Sequence, residues 1–143
     1  MSGFLGSYRH QLDDKGRLSM PAAFRRDADD QPLVLVQVHG DALTLYPEAT
    51  WRGVEERLLE LLRRQPSTRA NVLGITANAA EVVPDRQGRI LIPQRLLSAV
   101  GLSDAALLVG VIDRIEIWDP SRFETTIAAR SPDFERFTAQ IFG

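Results

Sequence analysis

Asp13-Asp14-Lys15-Gly16-Arg17-Leu18-Ser19-Met20-Pro21 returns later in the chain as Asp85-Arg86-Gln87-Gly88-Arg89-Ile90-Leu91-Ile92-Pro93. Both stretches obey Asp-x-x-Gly-Arg, then apolar-x-apolar, then Pro. Arg89 follows Arg17 by 72 positions in a chain of 143. The register persists without a gap downstream, where Asp41-Ala42-Leu43-Thr44-Leu45-Tyr46 aligns with Asp113-Arg114-Ile115-Glu116-Ile117-Trp118, and Trp51 with Phe123. One motif recurs by accident easily; two motifs held in register over most of a half-chain mark a duplication. A half of this size buries only about 60% of its extended surface, so the two halves are expected to pack together and share one core.

Each copy reads as strand, tight turn, strand and short helix. Gly16 and Gly88 stand where a turn needs positive φ, and Asp13 and Asp85 can accept hydrogen bonds from the turn backbone two residues on. Leu18 and Met20 alternate with Ser19, as in a half-buried strand, whereas the unbroken Ile90-Leu91-Ile92 run predicts deeper burial. Pro21 and Pro93 suit the first position of a helix. The second of these helices runs from Gln94 to about Val100 and ends at Gly101; the first runs from Ala22 to about Arg26. Two strands then close each unit, Leu33–Val36 with Ala42–Tyr46 and Ala106–Val109 with Ile115–Trp118. A helix follows each hairpin, with Thr50 and Ser121 as expected N-caps. Residues 66–80 read as a join between the halves. Phe134, Phe137, Ile141 and Phe142 make the chain end apolar, which predicts internal packing, with a subunit interface as the second reading.

Composition narrows the functional classes. With 44% hydrophobic and 25% charged residues the chain is that of a soluble globular protein. It has no cysteine, which excludes disulfides and thiolate metal sites. No apolar run approaches the roughly 20 residues of a membrane helix, and the first residues lack a signal-peptide core, so the expected location is cytoplasmic. His10 and His39 are the only two histidines, and neither lies beside an obvious nucleophile or in a metal-binding spacing. No glycine-rich phosphate loop is present. Asp13 and Asp85 make poor acids, because an arginine four residues on holds a carboxylate ionised. The sequence therefore predicts no enzyme, no cofactor and no metal.

Charge is unevenly spread. The net charge is −2, yet residues 9–26 set Arg9, Lys15, Arg17, Arg25 and Arg26 against Asp13 and Asp14. Residues 84–95 likewise set Arg86, Arg89 and Arg95 against Asp85 alone. Local patches of this kind attract polyanions even on an acidic molecule. Two roles stand open for Arg17 and Arg89: pairing with their own aspartates to stiffen the turns, or presenting a planar guanidinium to phosphate or guanine. Lys15 and Arg86, in the same turns, favour binding; Arg25, Arg26 and Arg95 would extend the patch from the helices.

On these residues the sequence resembles the MraZ family of bacterial transcriptional regulators. Both copies carry the family's Asp-x-x-x-Arg signature, and the resemblance extends over essentially the whole chain. It implies an α+β, mostly β fold: a pseudo-twofold swapped-hairpin β-barrel of two tandem SpoVT–AbrB-type repeats, at 7–49 and 79–121. A helix and connector at 50–78 and C-terminal helices at 122–143 complete the division. It further implies sequence-specific binding to double-stranded DNA at repeated boxes upstream of the division and cell-wall gene cluster, association with the nucleoid, and a ring-shaped homo-oligomer. Lys15, Arg17, Arg86 and Arg89 match the positions associated with DNA contact. An antitoxin-like or scaffold module that binds protein through the C-terminal helices is the alternative.

Overall fold

A computed structural model describes residues 3–25, 31–130 and 132–143. The first half contains β1 (Ser7–Gln11), β2 (Arg17–Ser19), α1 (Ala22–Arg25), β3 (Leu33–His39), β4 (Ala42–Pro47) and α2 (Glu48–Arg64). A 3₁₀ turn at Pro66–Thr68 leads into α3 (Arg69–Thr76), so the connecting segment is largely helical. The second half repeats the order with β5 (Ala80–Val82), β6 (Arg89–Leu91), α4 (Gln94–Ala99), β7 (Ala105–Gly110), β8 (Ile115–Trp118) and α5 (Pro120–Ala128), and α6 (Phe134–Phe142) ends the chain. The fold is mixed α+β, and its strands all pair antiparallel.

The pairing interleaves the halves. Six strands form one sheet in the order β1-β7-β8-β4-β3-β5, and β2 and β6 form a separate ribbon. The opening strand of each half thus lies on the hairpin of the other: β1 on β7 and β5 on β3. The remaining cross-half pairs, β4 with β8 and β2 with β6, join equivalent strands around the pseudo-twofold. Among the described residues the large sheet does not close into a barrel; β1 and β5 are its edges. Both edges are protected from further pairing in ordinary ways, β5 by its shortness and the proline that follows it at Pro84, β1 by Arg9 and His10.

One apolar cluster draws on both halves, including Leu18, Leu43 and Leu45 from the first and Ile90, Ile115 and Ile117 from the second, all fully buried. Burying a side chain of this size contributes about 1.5–3 kcal/mol, and here the two halves bury theirs in one shared cluster. The aromatic pairs follow the repeat: Tyr46 meets Trp51 of α2 and Trp118 meets Phe123 of α5, each with ring centroids 5.5 Å apart.

Several sequence expectations shift. Leu91 is 58% exposed while Ile90 and Ile92 are buried, because β6 alternates about its ribbon just as β2 does. The duplication is ungapped at the motifs but not within β3: Leu35 pairs with Leu45, whereas Leu108, not Leu107, pairs with Ile117. An irregularity between Val36 and His39 absorbs the one-residue difference, as a bulge must if the buried face is to be kept. Helix starts also move. α2 begins at Glu48, and Thr50 donates its hydroxyl to the Asp113 carbonyl of the other half at 3.0 Å. In α5 the cap is Asp119, which accepts from the Arg122 amide, with Pro120 at the first position. Pro93 precedes α4 as its cap residue, and Gly101 closes the helix at φ +71°. The aromatic chain end is not internal: Phe134, Phe137, Ile141 and Phe142 are 43%, 55%, 63% and 85% exposed, because α6 offers its apolar stripe to solvent.

Candidate nucleic-acid interface

The repeated motif builds the same turn twice. In the first, the Asp13 amide donates to the Arg17 carbonyl at 3.1 Å, and the Gly16 amide to the Asp13 carbonyl at 3.1 Å. Asp13 Oδ1 accepts from the amides of Lys15 and Arg17, both at 2.9 Å, and Oδ2 accepts from Arg17 Nε at 2.6 Å. The second turn matches atom for atom. The amides of Gln87 and Arg89 donate to Asp85 Oδ1 at 2.9 Å, and Arg89 Nε donates to Oδ2 at 3.0 Å. The aspartate side chain closes the loop from within, a job that short carboxylates perform well.

Glycine is required in both turns. Gly16 has φ +83° and Gly88 φ +77°, and the two turns are stitched across the halves through their carbonyls. The Ile92 amide donates to Gly16 O at 2.9 Å, and the Met20 amide to Gly88 O at 2.8 Å. A Cβ on Gly16 would stand 2.9 Å from the Ile92 carbonyl oxygen, so a side chain there meets backbone as well as strain.

The β2–β6 ribbon sets the two arginines on one outer face. Leu18 pairs with Ile90 at its centre, both pointing into the core, while Arg17 lies opposite Leu91 and Ser19 opposite Arg89. Arg17 and Arg89 therefore occupy diagonal positions roughly 7–8 Å apart. Their side chains are 34% and 29% exposed. Each commits its Nε to its own aspartate; among the described residues the terminal guanidinium nitrogens make no hydrogen bond. The two roles weighed from sequence are thus compatible: the Nε edge of each guanidinium holds the turn while the side chain stays partly exposed.

The Arg17 amide bonded to Asp13, assisted by the Arg17 guanidinium and the Lys15 amide against partial desolvation, holds this carboxyl down at about 2. The Arg89 amide lowers Asp85 in the same way. Both aspartates are therefore ionised and unable to act as acids near neutrality.

Lys15 and Arg86 are exposed in the two turns, and Arg25 and Arg95 are exposed on α1 and α4. Arg26 lies outside the described residues. Arg25 does not stay with its own turn: its guanidinium lies across Gly88 in the other half, a contact that no local pattern signals. Sequence reasoning also passed over Arg114, which pairs with Asp113 at 2.8 Å and lies over the Tyr46 ring at 5.0 Å, tying β8 to the first hairpin. A surface depression runs along α2, where Glu60 pairs with Arg63 and Arg64, and it gathers no reactive set. Among the described residues no group of three or more His, Asp or Glu could share a metal ion, and no helix is long and apolar enough to cross a membrane.

By architecture this is a duplicated, strand-exchanged protein that carries a pair of arginine-bearing turns on one ribbon. The chain belongs to the MraZ family: the family described as "MraZ protein, putative antitoxin-like" matches residues 4–73 and again 75–142. Among its relatives are proteins named "Transcriptional regulator MraZ" from three organisms. That of Pediococcus pentosaceus is 39% identical over 92% of both chains. That of Roseiflexus sp. is 35% identical over 96% of both. The third, from Thermomicrobium roseum, is 38% identical over 96% of this chain and 99% of the relative.

Proposed function

We propose that this chain is a transcriptional regulator that binds double-stranded DNA through the two Asp-x-x-Gly-Arg turns and the ribbon between them. What supports the reading most is the diagonal pair of arginines, each fixed at Nε by its own aspartate and, among the described residues, without a hydrogen bond at its terminal nitrogens. The major groove admits a two-stranded ribbon, and arginine is the residue that pairs bidentately with guanine there. Lys15 and Arg86 supply phosphate contacts from the turn tips, with Arg95 as a further contributor. Membership of a family whose relatives are named transcriptional regulators supports the same reading.

The finer parts of the proposal follow from it. The exchange of β1 and β5 between the halves favours a swapped-hairpin arrangement of two SpoVT–AbrB-type repeats, at 7–49 and 79–121, with 50–78 and 122–143 as helical additions. The protein acts in the cytoplasm on the nucleoid, at repeated boxes upstream of the division and cell-wall gene cluster, as a ring-forming homo-oligomer. Several copies on one assembly raise avidity about 100-fold or more over a single turn pair. The exposed apolar face of α6 favours one second reading, an antitoxin-like or scaffold protein for which that face is the principal contact.

Footprinting on the region upstream of its own gene, across a salt series, tests the proposal. Arg17→Ala and Arg89→Ala should each weaken protection by tenfold or more, about 1.4 kcal/mol per factor of ten, and leave the circular dichroism of the chain unchanged. Undiminished protection in both variants would sink the assignment. A single box bound as tightly as tandem ones, or a monomer by sedimentation at all concentrations, would remove the ring and favour the second reading.

A further inference from the structure

The two turns are covered by different residues at a position that the duplication makes directly comparable. Arg25 and Leu97 stand 72 residues apart, the same offset as the motif arginines, and each covers the glycine of the opposite half. A Cβ on Gly16 would lie 3.3 Å from Leu97 Cδ1; one on Gly88 would lie 2.8 Å from Arg25 Nη1 and 3.0 Å from its Cζ. The first turn is thus covered by an apolar side chain and the second by a guanidinium laid across it.

Leucine shows that covering the glycine needs no charge. Arginine at the equivalent place nonetheless sits exposed, with Nε donating to the Met20 carbonyl at 3.1 Å. That one bond uses one of the five N–H donors a guanidinium carries. Among the described residues no carboxylate pairs with it. The Met20 amide in turn donates to Gly88 O at 2.8 Å, so the group is fixed to the very turn it overlies. A planar, weakly hydrated cation fixed over the turn that carries Arg86 and Arg89 has the chemistry of a phosphate contact.

We infer that the second turn is a composite anion site assembled from both halves, Arg25 from the first with Arg86 and Arg89 from the second, and that its ligand is the phosphate backbone of duplex DNA. The first turn, with Lys15 and Arg17, has Leu97 where the second has Arg25. The two turns are therefore unequal, and the second cannot form without the first half. The inference rests on the DNA-binding reading above and deepens it.

The test uses the full chain and a fluorescently labelled mixed-sequence DNA duplex, with anisotropy recorded over a salt series. Arg25→Leu copies the residue used over Gly16 and should fold. Its plot of log affinity against log salt should flatten by about 0.9, which makes the loss of affinity between about 50 and 200 mM salt roughly threefold smaller than in the parent. Arg25→Lys, which keeps the charge, should retain the parental slope. Parental affinity and slope in Arg25→Leu would overturn the inference and leave Arg25 a cover for Gly88. Should that variant fail to fold, Arg25→Gln keeps a donor for Met20, drops only the charge and gives the same two outcomes. A parent that binds no duplex even at low salt brings down the DNA-binding reading itself, a result distinct from parental binding by the variant.

Discussion

At the residue scale, the Asp13 carboxylate collects three hydrogen bonds from the four residues that follow it, and two of these come from main-chain amides. The carboxylate acts as a local substitute for a strand partner, and the arginine completes it. Because every contact lies within four positions, the pattern Asp-x-x-Gly-Arg was legible in the sequence, down to the need for positive φ at glycine. That the arginine bonds its aspartate through Nε, and not through its terminal nitrogens, was not, since it depends on side-chain geometry alone. The same bonds set a pH dependence. Held at about 2 rather than 3.8, the Asp13 carboxylate stabilises the fold fully above its ordinary value, and this contribution disappears as pH falls through about 2. Asp13→Asn should therefore be less stable than the parent near neutrality, and the gap should narrow as pH falls from 3.8 toward about 2. Urea titrations of both proteins across that window read it; a gap that stays constant would contradict the assignment.

At the scale of elements, period-two patterning located the strands of both hairpins and paired them within each half, but did not give their partners across the halves. Which strands pair across the halves is a long-range fact, and nothing in the alternation of β1 or β5 says that each lies on the other half's hairpin. Local capping rules failed at α2 for the same reason: the Thr50 hydroxyl bonds Asp113, 63 residues away, rather than its own helix. The Ile90-Leu91-Ile92 run shows the limit of composition, since an unbroken apolar run hides its alternation until a partner defines the faces. That gives a contrast to measure. Ile90, fully buried against Leu18, should cost about 2–5 kcal/mol as Ile90→Ala. Leu91→Ala, on the outer face of the ribbon, should change stability by only about 0.5 kcal/mol. Denaturant unfolding of the two variants compares them directly, and equal losses would mean that the ribbon is buried on both sides.

At the scale of the whole molecule, duplication and exchange leave neither half with a core of its own. The central ribbon takes one strand from each half, the large sheet alternates between them, and the apolar cluster is continuous across the pseudo-twofold. Such a chain should unfold as one unit. Its two tryptophans, the only ones in the sequence, lie one in each half: Trp51 on α2 against Tyr46, and Trp118 on β8 against Phe123. Trp118→Phe leaves fluorescence reporting on the first half, and Trp51→Phe leaves it reporting on the second. Each variant should be melted while fluorescence and far-ultraviolet circular dichroism are followed together, so that any change in stability caused by the substitution cancels in the comparison. The fluorescence and circular-dichroism midpoints should coincide in both variants, because loss of either half strips the other of β1 or β5 and of its half of the ribbon. A fluorescence transition that precedes the circular-dichroism transition in one variant would mean that its half opens alone. The strand exchange would then join two separate folding units, and the second turn would no longer depend on the first half for its shape.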